Sequence, residues 1–273
     1  LLRMAGVSAG GVLGGLLPLA FGGSETSAYQ WTMIVGSVVM AVGLVPMAFV
    51  REQTPGIRGF WRVSLHTGKD FAAWSHLARL AVPQSFLVMA GAMTGPFVPL
   101  YLRQTLGASV QQIGLIQGSG ALLVGLAALA TPVIRRKFGV GRGVTMLQVG
   151  AVPLLMAVPY VGGLVYGVLL MFTRSTLMGV GAPLYSELSM EGVTARDKPL
   201  VGGGLLFALS ITGFFGNVIG GRLMEVSYTA PYVPAAALYA VGTALTWAIW
   251  VRLPRRREAA LYQRGFEAVP EAA

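Results

Sequence analysis

REQTPGIRGFWRVSLHTGKDFAAWSHLAR, residues 51–79, is a long polar interval in a chain that otherwise consists mostly of apolar runs. Two apolar runs precede it and six follow it. Most are about 20 residues long, the length that an α-helix needs to cross a hydrocarbon core of about 30 Å. The predicted spans are residues 4–22, 29–50, 80–101, 111–134, 143–160, 162–186, 200–221 and 231–251. The interval therefore divides, unequally, an all-α polytopic membrane protein of about eight transmembrane helices.

The composition supports a membrane protein and excludes several functions. Hydrophobic residues make up 55% of the chain and charged residues 11%, whereas a soluble domain carries about 25% charged residues. Cysteine is absent, which excludes disulfides and thiolate metal sites. The two histidines, His66 and His76, both lie in the polar interval, so we predict no metal site and no other cofactor. The net charge is +10. We interpret it as the result of basic residues that collect on the cytoplasmic side of the membrane, rather than as a sign of nucleic-acid binding.

The basic residues collect on one side of this topology. If Arg3 is cytoplasmic and every span crosses, seventeen of the 20 basic residues fall on the cytoplasmic side. They are Arg3, Arg51, Arg58, Arg62, Lys69, Arg79, Arg135, Arg136, Lys137, Arg142, Arg196, Lys198, Arg252, Arg255, Arg256, Arg257 and Arg264. Because Lys and Arg favour cytoplasmic loops, we predict a multi-pass cell-membrane protein whose long loop and C-terminus are cytoplasmic.

The end of the polar interval carries apolar residues at about helical spacing, Phe71, Trp74, Leu77 and Leu80. This spacing fits a short amphipathic helix that lies on the inner membrane surface. It fits equally the first turns of the span that follows.

Small residues recur four positions apart in several predicted spans. The pairs are Gly10/Gly14, Gly11/Gly15, Gly91/Gly95, Gly114/Gly118 and Gly216/Gly220. Such pairs let two helix backbones approach closely inside a membrane. We therefore predict close helix crossings at these pairs, either for packing or as a sliding interface between moving helices.

The hinge PVIRRKFGVGR, residues 132–142, combines clustered positive charge with glycine. Arg135, Arg136, Lys137 and Arg142 carry the charge, and Gly139 predicts a tight cytoplasmic turn between two spans. We favour anchoring of the turn on the cytoplasmic side as the role of these charges.

Arg174 lies within VYGVLLMFTRSTLMGVGAPLYSE, residues 165–187. At 1.5 Å per residue it is about 18 Å from each interface, too far for its side chain to reach water. A charge at this depth is expensive and by default indicates function. The ten acidic residues all lie outside the middles of the spans, which leaves three partners: an anionic solute, a carboxylate on helices outside this chain, or backbone carbonyls. The structural alternative is an arginine that ties adjacent helices together.

Four amide side chains inside the spans, Gln84, Gln117, Gln148 and Asn217, are further candidates for solute binding. Each could form hydrogen bonds with a solute, and each could instead form an interhelical hydrogen bond worth about 1 kcal/mol. Together with Arg174 they are the predicted solute-binding residues. Histidine, cysteine and acidic residues are absent at membrane depth, so we predict no catalytic residues and no enzyme.

Three stretches resemble the major facilitator superfamily of transporters. GGVLGGLLPLAFGG, residues 10–23, resembles the glycine-rich fifth helix of that family, and residues 202–225 resemble the eleventh. The basic hinge at residues 135–142 resembles the loop between the eighth and ninth helices, although no Asp stands ahead of Gly139.

This resemblance implies a helical bundle that lacks the family's first four helices. Residues 1–50 would be the last two helices of the N-terminal half, and residues 51–79 the cytoplasmic central loop. Residues 80–252 would be the six-helix C-terminal half, followed by a cytoplasmic tail at 253–273. We accordingly expect a truncated chain. Residues 162–186, which contain Arg174, would match the tenth helix, which borders the central cavity of the family.

The implied function is secondary active transport of a small solute, of anionic character if it pairs with Arg174, by alternating access. The alternative is a non-transporting membrane receptor or assembly subunit. An intramembrane carboxylate commonly couples transport to protons, and the sequence shows none, so the coupling ion stays open.

Overall fold

The structure is a computed structural model that describes residues 2–21, 25–45, 49, 71–191, 193 and 198–252. Within this part of the chain the regular secondary structure is helical. The α-helices are α1 (Leu2–Ala20), α2 (Glu25–Val42), α3 (Phe71–Thr94), α4 (Val98–Gln104), α5 (Val110–Ala127), α6 (Thr131–Phe138), α7 (Val140–Ala157), α8 (Leu164–Met190), α9 (Lys198–Val226) and α10 (Tyr232–Trp247). Short 3-10 or π-helical turns extend several of them, at Gly95–Phe97, Ala128–Ala130, Val158–Tyr160 and Ala248–Arg252.

Six helices of the described part, counted with these extensions, are long and apolar enough to span a membrane. They are Trp74–Gln104, Val110–Phe138, Val140–Tyr160, Leu164–Met190, Val201–Val226 and Tyr232–Arg252. The first of them begins in the last residues of the polar interval and the other five follow it, which confirms an all-helical, multi-pass membrane fold for this region. The apolar stretches of α1 and α2 are shorter, Met4–Pro18 and Gln30–Val42.

The end of the polar interval belongs to the first of these spans. Phe71–Thr94 is one helix, so residues 71–80 are its first turns, and the prediction of a separate amphipathic helix is wrong. Leu77 and Leu80 are buried against Val201 and Leu205 of α9. This packing explains why α3 continues without interruption through residues 71–80. Most of the predicted central loop, residues 51–70, and the predicted tail, residues 253–273, lie outside the described residues.

The helices pack as a series of neighbours, in the order α9, α3, α10, α7, α8, α5, α1 and α2. A large apolar cluster joins α3, α7 and α10 and includes Met93, Leu155 and Tyr232. Two smaller clusters lie nearer the opposite end of the bundle, one around Leu80 and one around Leu184. The space between the large cluster and the small ones is where the candidate site lies.

Glycine crossings join α1 to α5 and α3 to α9. A Cβ added at Gly114 would lie 2.5 Å from the Cα of Gly15, so the two backbones touch. A Cβ at Gly216 would lie 2.6 Å from the carbonyl oxygen of Met89 on α3. These contacts confirm the close crossings predicted at the following pairs: Gly11/Gly15, Gly114/Gly118 and Gly216/Gly220.

The same prediction is wrong for the other two pairs, Gly10/Gly14 and Gly91/Gly95. A Cβ added at any of these four positions would meet no described residue within 4 Å. Successive residues of a helix are about 100° apart, so Gly10 and Gly14 lie beside the face of α1 that touches α5.

The basic hinge forms the tight turn that its glycine predicts. Gly139 has φ +77°, a left-handed conformation that favours glycine, and it separates α6 from α7. Nη2 of Arg135 lies 2.6 Å from Oε1 of Glu187 and so ties the end of α6 to the last turns of α8. Arg136, Lys137 and Arg142 are exposed.

Candidate functional site

A cavity of about 330 Å³ lies among α3, α7, α8 and α10, and we call it the Arg174 cavity. Its lining residues are Gln84, Leu87, Val88, Gly91, Val144, Leu147, Gln148, Arg174, Met178, Gly181, Ala182, Tyr185 and Tyr239. Arg174 is the charged member of this lining. The structure thus brings together three of the predicted solute-binding residues, Arg174, Gln84 and Gln148, from three different helices.

The cavity forms a polar layer between apolar ones. On α3, Gln84 lies one turn from Leu80 on one side and one turn from Leu87 on the other, and these leucines belong to different clusters. On α7, Gln148 follows Leu147 of one small cluster and precedes Ala151 of the large cluster. Apolar packing above and below therefore keeps the polar side chains at a middle depth of the bundle.

Arg174 lies ten residues after Leu164, the first residue of α8. Its Nε atom is buried and has no hydrogen-bond partner among the described residues, while the rest of the side chain keeps partial exposure towards the cavity. No carboxylate in the described ranges forms an ion pair with it. Its Cζ atom lies 6.0 Å from the ring centroid of Tyr239, a cation–π contact. Such a contact contributes about 0.5–2 kcal/mol, far less than a buried cation loses on leaving water.

The two glutamines add hydrogen-bonding capacity to the same space. The side-chain oxygens of Gln84 and Gln148 are both buried without a hydrogen-bond partner in the described part of the chain. Each such atom costs about 1–3 kcal/mol when it is left unpaired. A cavity that gathers one arginine and two glutamines with unpaired atoms is the candidate binding site for a polar molecule.

Tyr239 and Met178 are site residues that the sequence interpretation missed. The Tyr239 hydroxyl donates a hydrogen bond to Sδ of Met178, which joins α10 to α8 and holds the ring beside Arg174. A signal was present: Tyr239 lies in the middle of its span, and a buried tyrosine hydroxyl needs a partner. The Tyr185 hydroxyl likewise donates to the Leu80 carbonyl at 3.2 Å and links α8 to α3.

Two of the predicted residues lie elsewhere. Gln117 is exposed on α5, next to the crossing with α1, and Asn217 is exposed on α9. Neither lines the Arg174 cavity.

The groups in the cavity offer one positive charge, amide hydrogen bonds and an aromatic face. Among the residues that the structure describes, no three His, Cys, Asp or Glu side chains come together in a way that could hold a metal ion. What the arrangement can do is bind and orient a small polar molecule. Neither the protein-family models nor the curated proteins with which the chain was compared match it.

Proposed function

We propose that this chain belongs to a secondary transporter of the major facilitator type, which carries a small organic anion across a cell membrane by alternating access. The observation that supports the proposal is the Arg174 cavity, whose cation and two amide oxygens are unpaired within the described part of the chain. Secondary transporters commonly bind their solutes near the middle of the membrane. A site that holds such groups without partners is better suited to a ligand than to stability.

The lining groups suggest the chemistry of the solute. The planar guanidinium of Arg174 suits a carboxylate or phosphate, which it can bind through two parallel hydrogen bonds. Gln84 and Gln148 suit hydroxyl, carbonyl or amide groups on the same molecule. Leu87 and Tyr239 suit an apolar or aromatic portion. A volume of about 330 Å³ is at the small end of the usual range for ligand pockets.

The proposed arrangement of the helices is the one that the resemblance to the major facilitator superfamily implies. α1 and α2 would be two further spans, eight in total, from the N-terminal half at residues 1–50. Residues 51–79 would join this half to the six-helix half at 80–252. The Gly15–Gly114 contact supports this arrangement, because it packs α1 directly onto a helix of the six-helix half. We propose that the central loop and the tail at 253–273 are cytoplasmic, as the distribution of basic residues indicates.

Transport is tested by reconstitution. The protein, expressed from its complete gene, is incorporated into liposomes and assayed for counterflow with labelled mono- and dicarboxylates. We expect at least one of them to accumulate, and Arg174→Gln to reduce its flux at least about 10-fold, since a buried charge–charge contact is worth 2 kcal/mol or more. Arg103→Gln, a matched change at an exposed arginine, should leave flux unchanged.

Two outcomes would contradict the proposal. A folded protein that moves none of these anions is not a transporter of this class. Binding of an anion without flux would instead favour a non-transporting receptor or assembly subunit.

A further inference from the structure

A second cavity, of about 610 Å³, lies between α7 and α10, and we call it the outer groove. Its lining residues are Thr145, Val149, Val152, Pro153, Ala240, Thr243, Ala244 and Trp247. None of these residues lines the Arg174 cavity. The outer groove is therefore a separate feature of the same helix pair.

The outer groove opens on another side of the α7–α10 pair. On α7, Gln148 lines the Arg174 cavity and the next residue, Val149, lines the outer groove; on α10, Tyr239 and Ala240 divide in the same way. Adjacent helix residues point about 100° apart, so the two cavities use different faces. Val149 and Trp247 on the rim are 55% and 45% exposed. In a membrane this exposed side would meet lipid.

The floor of the groove offers no free hydroxyl to a polar ligand. Thr145 and Thr243 are buried, and their hydroxyls donate to carbonyls of their own helices, those of Gly141 at 2.9 Å and Tyr239 at 2.8 Å. The remaining lining residues are apolar apart from the indole nitrogen of Trp247. Such a surface suits hydrocarbon.

Two exposed arginines lie at one end of the groove. Arg142 is three residues before Thr145 and seven before Val149, so it lies on the groove face of α7. Cζ of Arg252 is 5.8 Å from the ring centroid of Trp247 on the rim.

Packing between the helices brings these two arginines to the same end of the groove. A Cβ added at Gly141, the neighbour of Arg142, would lie 3.1 Å from the carbonyl oxygen of Trp250, two residues before Arg252. Neither arginine has an ion pair within the described ranges. Their positive charge is therefore available to an anionic group at the mouth of the groove.

We infer that the outer groove binds one acyl chain of an anionic phospholipid, whose phosphate contacts Arg142 and Arg252. The groove runs from Thr145 to Pro153, about 12 Å along α7, which is most of one leaflet of a hydrocarbon core about 30 Å thick. Basic pockets between membrane helices are known to bind anionic headgroups, and Trp247 would lie near the headgroup level. The inference depends on the membrane placement of α7 and α10 and not on transport.

The test uses quenching of tryptophan fluorescence by lipid. Purified protein in detergent is titrated with phosphatidylglycerol that carries brominated acyl chains, and with phosphatidylcholine that carries the same chains. We expect saturable quenching by phosphatidylglycerol, with an affinity about 30-fold above that for phosphatidylcholine, the contribution usual for two basic residues near an anionic group. Trp247→Phe should remove most of this saturable quenching. Trp74→Phe, which replaces a tryptophan of similar exposure outside the groove, should keep it.

Charge variants distinguish a specific effect of Arg142 and Arg252 on lipid affinity from an effect of the protein's net charge. The double variant Arg142→Gln/Arg252→Gln should lower the affinity for phosphatidylglycerol to that for phosphatidylcholine. The control Arg103→Gln/Arg222→Gln removes the same charge from two exposed arginines elsewhere and should keep the wild-type affinity. Equal affinity for the two lipids in the wild type would overturn the inference. So would an equal loss in the control, or saturable quenching that survives Trp247→Phe.

Discussion

Glycine has opposite roles at the α1–α5 crossing and in the Arg174 cavity. At the crossing, Gly15 and Gly114 face each other, and a Cβ on either would lie within 2.8 Å of the other's Cα. In the cavity, Gly91 faces open space, and a Cβ there would meet nothing within 4 Å. Whether a glycine closes a contact or leaves room for a ligand thus depends on what stands opposite it.

The two regions also differ in what they contribute to stability. Close backbone contact at the crossing gains van der Waals attraction along two helices, which is one of the sources of helix association in membranes. The cavity instead holds three buried polar atoms, from Gln84, Gln148 and Arg174, that have no partner among the residues the structure describes. Buried polar atoms left unpaired destabilise a fold, and proteins tolerate this mainly at functional sites. Substitutions should therefore affect stability in the first region and binding in the second.

The largest change in stability is expected at the crossing. Gly114→Ala places a methyl group 2.5 Å from the Cα of Gly15, so the two backbones must separate. Overpacking of this kind destabilises by about 1–3 kcal/mol, which thermal unfolding in a single detergent would measure. Gly10→Ala on α1 is the matched control, because its methyl group would meet nothing within 4 Å. Equal melting temperatures for the two variants would contradict the crossing.

Replacement of a glutamine in the cavity should weaken binding without loss of stability. We expect Gln148→Leu to keep or raise the melting temperature, because it removes a buried unpaired oxygen. The same change should weaken anion binding about 5-fold, the value of one lost hydrogen bond of about 1 kcal/mol. Titration with an anion that stabilises the wild type would measure this, with Gln104→Leu, a change at an exposed glutamine of α4, as the control. Loss of stability without loss of affinity would show that Gln148 is a packing residue.

The smallest effect on stability is expected for Gly91→Ala. The added methyl group enters the cavity without touching a neighbour, so the free energy of unfolding should change by no more than about 1 kcal/mol, the gain in helix propensity. Binding of the larger anions in a series should weaken relative to the smaller ones. A destabilisation as large as that of Gly114→Ala would remove the difference between the two regions.

Much of this fold could be predicted because it depends on local properties of the chain. The lengths of the apolar runs identified the six long helices, and Gly139 identified the turn between α6 and α7. The tertiary partners could not be predicted in this way. Gly10/Gly14 and Gly11/Gly15 are the same pattern in the sequence, yet only the second pair faces α5. Spacing specifies a helix face but does not specify what packs against it.

The candidate site shows the same difference between local properties, which could be predicted, and tertiary contacts, which could not. Arg174 was identifiable because the sequence alone shows a charge in the middle of an apolar run. Its neighbour Tyr239 lies 65 positions further along the chain and reaches it only because α10 and α8 share the cavity. The amides Gln117 and Gln148 look alike in the sequence, and burial separates them: Gln117 is exposed and Gln148 is buried.

The most direct test of the central claim compares a carboxylate with its neutral amide as ligands of the Arg174 cavity. Thermal unfolding of the wild type, Arg174→Lys and Arg174→Gln is measured as each compound is added. We predict that the carboxylate stabilises the wild type and that the amide does not. We expect a weaker effect in Arg174→Lys, because an ammonium cannot reproduce the planar guanidinium, and none in Arg174→Gln. Stabilisation of Arg174→Gln by the carboxylate, equal to that of the wild type, would show that the anion does not bind at Arg174.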